Sequence, residues 1–305
     1  MSTRPTAPTR RIPAFVNAAA GNAEDVVWAL ERNRAFAVRR VEDPQSLPDV
    51  IRATVAAGVP RIAVSGGDGT LSCAAAEVAG TPVELAVIPG GTLNHFAKAL
   101  AIPTDLEEAA RVAQDGVVRP VDAAYVNDRL ILNTSSVGAY VEFVRLRDRL
   151  ERRHLPYTIA SAVASVRVLL APRRLAVALE VRGARRLYRT PLVFVGVGER
   201  EVSLHTFGAR IEHGRRGLHV IVIRGRRRTS LLLLAASLAA RGLRGAPKTP
   251  THGVDNFVVD ALQIVPPRRV IRIGVDGEVV AAAAPIEFRY ARDVLRVVVP
   301  RSGAA

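Results

Sequence analysis

The sequence predicts an α/β protein in two parts: an N-terminal doubly wound parallel sheet, then a C-terminal antiparallel, sandwich-like β domain. Three observations carry this. Over the first 120 residues strand-like and helix-like patterns alternate, as in βα units that build a parallel sheet. Beyond "VVRPVDAAYVN" strand-like runs follow one another with few helices between them, the pattern of antiparallel layers. Two Gly-Gly turns, "VSGGDGTLS" and "IPGGTLNHF", each join a strand-like run to a helical one, at the sheet edge where such folds take their ligands.

The elements run as follows. "RIPAFV" leads into the helical "NAEDVVWALERN", and "AFAVRRV" into "LPDVIRATVAAG"; "RIAVS" and "ELAVIP" then each precede a glycine turn and a helix. In the second part the strand-like runs are "LILNTSS", "RLAVALEVRG", "RLYRTPLVFVGVG", "GLHVIVIRG", "FVVDALQIV", "VIRIGVDGEVVAA", "IEFRYA" and "VLRVVVP". Three helical patterns interrupt them: "AYVEFVRLRDRLERR", "YTIASAVASVRVLLA" and "TSLLLLAASLAARGL". The expected domains are residues 11–124, residues 125–292, and a segment 293–305 returning to the first domain.

Composition narrows the class. Hydrophobic residues make up 49% of the 305, enough for one large core or two smaller ones. The single cysteine, Cys73, excludes an intramolecular disulfide framework and suits a reducing cytoplasm. The basic N-terminus lacks the apolar stretch of a secretion signal, and the run from Ser230 to Ala240 is about half a membrane span. A cytoplasmic protein without a spanning helix is therefore expected. The net charge of +15 comes almost entirely from arginine, often in pairs. It reflects either a genome that favours arginine or an anionic partner such as lipid headgroups. The arginines do not alternate with aromatics, so no nucleic-acid-stacking surface is expected.

A glycine turn between strand and helix lets backbone N–H groups approach an anion, and the helix N-terminus adds partial positive charge. Two such turns at one edge would grip successive phosphates of a nucleotide. Thr70 and Thr92 would add hydroxyl donors, and Asp68 would orient a phosphate-bound Mg²⁺ directly or through water. The alternative is a pair of tight βα connections with Asp68 as a helix cap. No Lys-Ser or Lys-Thr follows the glycines, so this is not a P-loop, and G-x-G-x-x-G is absent. Further on, "RIGVDGEVVA" reads as a hairpin, because Ile271, Ile273 and Val275 alternate and Asp-Gly suits a type I′ turn.

"SGGDGTLS" followed by "PGGTLNHFAKAL" resembles the diacylglycerol kinase catalytic-domain family, which also holds sphingosine, ceramide and bacterial lipid kinases. The likeness runs from about Phe15 to Pro300. It implies an ATP site between two domains, with Gly66, Gly67, Asp68, Gly69 and Thr70 as the main nucleotide loop. Thr92 and Asn94 match the second motif. Asn17 and Gly21, in "VNAAAG", match an Asn-Pro-x-x-Gly turn in which Ala18 replaces the proline. His95 stands where many relatives carry an acid and reads as solvent-facing. The "VDGE" segment matches the family's acidic catalytic stretch: Glu278 is the expected base for the acceptor hydroxyl, and Asp276 orients that hydroxyl or Mg²⁺, or the two exchange roles.

One departure stands out. Arg216 occupies the place of an aspartate that binds a structural Mg²⁺ in many bacterial relatives, and a guanidinium cannot ligate a metal. Asp122 matches the acid that links that metal to the domain junction, and an ion pair with Arg216 is its alternative. The histidines show no zinc spacing, and Cys73 reads as a small core residue.

The helical patterns beginning at Tyr157 and Thr229 end in arginines; they pack on the second domain's sheets or meet lipid. The resemblance thus implies a cytoplasmic lipid kinase, peripheral at the inner membrane face, using ATP and Mg²⁺ on a lipid hydroxyl, with diacylglycerol first. Anionic membrane is its expected peripheral partner, and a homodimer is left open. The alternatives are an NAD kinase-like or other soluble-substrate kinase, and a catalytically degenerate nucleotide- or lipid-binding regulator.

Overall fold

A computed structural model of the chain describes residues 11–92, 94–170, 173–201, 209–211, 214–224 and 254–301. The helical pattern from Thr229 to Gly245 lies outside these residues, as do His205, His213 and His252. The chain divides into two compact units, residues 1–121 with 293–305, and residues 122–292.

In the first unit the alternation appears as β1 (Ile12–Asn17), α1 (Ala23–Glu31), β2 (Phe36–Val41), α2 (Leu47–Ala56), β3 (Arg61–Gly66), α3 (Asp68–Val78), β4 (Glu84–Pro89), α4 (His95–Ala99) and α5 (Leu106–Asp115). Strands order as β2-β1-β3-β4, and residues 296–298 of the chain's last strand add in parallel beside β4. Ile62, Ala63, Val64, Leu85, Ala86 and Ile88 are almost wholly buried. That is why β3 and β4 read as unbroken apolar runs rather than alternating ones: a parallel sheet is covered on both faces. On β2, at the sheet's edge, Arg39 and Arg40 are both exposed, Arg40 donating to the Glu24 carboxylate at 3.1 Å, while Phe36 and Val41 are buried at its ends. Helix α5 begins where the Asp105 carboxylate accepts the Glu108 N–H at 2.9 Å, a side-chain N-cap.

The second unit begins within β5 (Val117–Val126) and continues through β6 (Arg129–Ile131), β7 (Thr134–Gly138), α6 (Ala139–Glu151) and α7 (Tyr157–Leu170). Strands β8 (Leu175–Val181), β9 (Ala184–Thr190), β10 (Leu192–Val197), β11 (Arg200–Glu201), β12 (Ala209–Arg210) and β13 (Leu218–Ile223) follow. The last are β14 (Val254–Val259), β15 (Ala261–Val265), β16 (Val270–Val275), β17 (Glu278–Ala283) and β18 (Ile286–Val299). One antiparallel layer orders as β14-β13-β10-β7-β16-β17; in the other, the first half of β18 is followed by β15, β8 and β9. Val193, Val195, Val220 and Ile273 of the first layer join Val177, Leu179, Ile264 and Phe288 of the second in one core. This is the expected sandwich.

Five strand-like runs resolve differently from their appearance in the sequence. "LILNTSS" divides into β6 and β7, because Leu132 and Asn133 give their N–H groups to the Asp276 carboxylate instead of a neighbouring strand. "RLYRTPLVFVGVG" divides at Pro191, which has no N–H to offer, and its halves enter different layers. "FVVDALQIV" divides at Asp260, again between layers, whereas "IEFRYA" and "VLRVVVP" form the single strand β18.

Candidate active site

In the first unit Asn17, Gly66 and Pro89 stand at the carboxyl ends of three neighbouring parallel strands, with Gly66 in register with Pro89. Both glycine turns therefore leave the same edge. The first is not a loop throughout: α3 starts at Asp68, with Gly67 extended (φ −77°, ψ 178°) as its N-cap. The Leu71 N–H already reaches Gly67 O at 3.0 Å. Asp68, Gly69 and Thr70 thus form the first helical turn, whose N–H groups have no intrahelical acceptor and face the partial positive end.

The glycines serve mainly to let the two turns interlock. A Cβ on Gly91 would lie 2.6 Å from the Cα of Gly67, and one on Gly90 would lie 2.8 Å from the Gly66 nitrogen. A Cβ on Gly66 would meet the Thr70 side chain at 2.5 Å. These are clearances for the protein's own chain rather than for a ligand. Gly21 differs, since open space surrounds its missing Cβ. We expect Gly91→Ala to lose about 1–3 kcal/mol in urea denaturation, the cost of overpacking. Gly21→Ala should stay within about 0.5 kcal/mol of the parent.

Side chains tie the turns together. The Asp68 carboxylate accepts the His95 N–H at 3.1 Å and the Phe96 N–H at 3.0 Å, so it caps α4 from across the site. Asn17 donates to Thr70 Oγ1 at 2.9 Å. Asn94, at φ +50°, accepts from the Gly91 N–H and donates to the Gly91 carbonyl, closing its own turn. Thr92 and His95 are exposed, and Cys73 is half-buried rather than a core residue. Two groups went unnoticed in the sequence: the Ser65 hydroxyl and the Asn22 side-chain carbonyl are buried with no hydrogen-bond partner among the described residues. Neither has a motif to announce it.

In the second unit β16 and β17 form the predicted hairpin. Asp276 (φ +46°) and Gly277 (φ +93°) are its turn, both positive as type I′ requires. The Asp276 carboxylate accepts three backbone N–H groups, from Leu132 and Asn133 at 2.8 Å and Thr134 at 2.9 Å. Through these bonds Asp276 anchors the turn that carries Glu278. Glu278, 53% exposed at its side chain, pairs with Arg129 Nη2 at 2.7 Å. Arg129 lies 149 residues away and left no local sign of this role.

Asp122 forms the ion pair with Arg216 that its sequence context left open. Arg216 Nε donates to it at 3.0 Å and a second guanidinium N–H closes the fork; Arg210 and the Tyr290 hydroxyl also donate. Burial, then the bond to Asp122, pushes the Tyr290 phenol up to about 12. Among the described residues no three His, Cys, Asp or Glu side chains gather as a metal cage.

A doubly wound α/β unit with interlocked glycine turns, followed by an antiparallel sandwich, defines a two-unit α/β class. Within it, residues 12–126 match the model of the diacylglycerol kinase catalytic domain. Over 125 residues the chain is 38% identical to a YegS-like lipid kinase of Pseudomonas aeruginosa, covering 39% of this chain and 41% of that one. Over 87 residues it is 34% identical to a diacylglycerol kinase of Mycobacterium tuberculosis, covering 28% of each. The matched stretches thus span less than half of these relatives. Two structures from Bacillus anthracis str. Sterne, described as diacylglycerol kinases, share the fold. One has a TM-score of 0.74 at 20% identity, covering 96% of this chain and 98% of that one. The other has a TM-score of 0.68 at 17% identity, covering 96% and 97%.

Proposed function

We propose that this chain is an ATP-dependent lipid kinase working at the cytoplasmic membrane face, with diacylglycerol as the first acceptor to test. ATP would be held by residues 11–124 and the lipid by residues 125–292. The observation that carries this reading is the interlocked pair of glycine turns, lying inside the stretch that matches the catalytic-domain family.

The chain's own groups divide the work. The N–H groups of the first turn of α3 bind phosphate oxygens. Asp68 keeps α4 against that turn, so both helix ends stay fixed. Gly21 leaves room for the nucleotide. Asp68 is also the residue that would hold Mg²⁺, since each of its oxygens accepts one N–H and keeps another lone pair. With no protein cage among the described residues, such an ion would depend mainly on phosphate oxygens and water. When bound, Mg²⁺ supplies neutralisation of charge on the transferred phosphoryl group. Glu278 takes the proton as the acceptor hydroxyl oxygen bonds to the γ-phosphorus. The bond from that phosphorus to the bridging oxygen breaks, and ADP leaves with the electron pair.

The test is incubation of the protein with γ-labelled ATP, Mg²⁺ and a total lipid extract, with products identified by mass. Label in the organic phase is expected. Label confined to water-soluble products would move the chain to a soluble-substrate kinase, and no label at all to a nucleotide- or lipid-binding regulator.

A further inference from the structure

Helix α7 turns its small residues inward and its large apolar ones outward. Ala160 and Ala164 are fully buried, and the helix packs on α6. Ile159, Val163, Val166 and Leu170 are 52, 40, 56 and 54% exposed. At 3.6 residues per turn these four fall within about 60° of one another, a single stripe facing away from the buried alanines. A surface helix of a water-facing protein has the opposite arrangement.

The charge around the stripe is predominantly positive. Helix α7 contains no carboxylate and one arginine, Arg167. From Ala139 to Arg174 there are eight arginines against three carboxylates. Arg152 and Arg153 precede the helix and Arg173 and Arg174 follow it, all exposed. At its start Arg147 lies 5.4 Å over the ring of Tyr157, which is itself half exposed.

We infer that α7 docks the protein on an anionic phospholipid bilayer, lying flat with Ile159, Val163, Val166 and Leu170 in the headgroup–acyl boundary and the flanking arginines on lipid phosphates. Its 14 residues extend about 21 Å, enough to lie in the interface and too short to cross it. A second copy of the chain fits less well. A two-fold contact would set the same arginines against each other, whereas anionic headgroups complement them.

The inference takes its purpose from the lipid-kinase reading but is tested without it. Protein is sedimented with vesicles of phosphatidylcholine alone or mixed with phosphatidylglycerol. Binding to the mixed vesicles is expected, about tenfold weaker for Ile159→Ser/Val166→Ser. Arg173→Gln/Arg174→Gln should weaken it by about fivefold per arginine removed, on anionic vesicles only. A polarity-sensitive dye on Val166→Cys, in a Cys73→Ser background, should shift to the blue with the mixed vesicles. Unchanged binding by the serine variant, or sedimentation without a dye shift, overturns the inference. So does a dimer in light scattering that the serine variant dissociates while vesicle binding persists. Parent protein that binds vesicles and shifts the dye, yet phosphorylates no lipid, upholds the docking surface and sinks the kinase reading instead.

Discussion

On the proposed lipid-kinase reading, Glu278→Gln is expected to lower turnover by about 10²–10⁴-fold, the usual worth of a positioned general base, and to leave ATP affinity and the unfolding midpoint close to those of the parent. The structure separates these readouts. Glu278 and Arg129 are both about half exposed, and an exposed pair of this kind contributes only about 0–1 kcal/mol to stability. Glutamine keeps the length and an acceptor for Arg129 but cannot take a proton from a hydroxyl. Asp276, which fixes the turn through three backbone bonds, is untouched, so the hairpin persists. Steady-state kinetics with ATP and dispersed lipid, beside calorimetry with a non-hydrolysable ATP analogue, measure both quantities. Turnover within twofold of the parent would remove Glu278 from the base role. A collapse of ATP affinity together with turnover would make it a binding residue.

What the sequence disclosed follows the range of the interactions involved. Alternation of βα units and the Asp-Gly turn are local, and both appear in the structure where they were read. The first glycine turn was half legible. Its place at the end of β3 follows from the apolar run, but the entry of Asp68 into α3 does not, because its side chain answers N–H groups 27 and 28 residues away. The division of "LILNTSS" was hidden for the same reason: the carboxylate that draws its N–H groups comes from Asp276, more than 140 residues later. Helix α7 was legible as a helix but not in its orientation. A run of Ala, Val, Ile and Leu has no strong polar face, and which side is buried depends on the small-residue contact with α6.

The second large effect concerns Asp122. Its side chain is 5% exposed and serves Arg216, Arg210 and Tyr290 at once. Asp122→Ala leaves those donors without their acceptor, and we expect a loss of about 3 kcal/mol, the lower end for breaking a buried pair, because Arg216 at 43% exposure can partly reach water. Urea denaturation reads it as a lower midpoint with an unchanged slope. Asp122→Leu/Arg216→Leu should recover part of the loss, since the pair then leaves together. Tyr290 supplies an independent check through pH. Its folded phenol titrates at about 12, above the ordinary 10, through burial and the bond to Asp122. Below 10 the contribution is fully present. As pH rises from there towards 12, the unfolded chain releases its proton first and stability falls. Tyr290→Phe should remove that alkaline decline while costing about 1 kcal/mol at neutral pH for the lost hydrogen bond. If Asp122→Ala unfolds within about 0.5 kcal/mol of the parent, an ordinary surface value, the carboxylate does not hold these cations and the guanidinium–carboxylate knot is incidental to the fold.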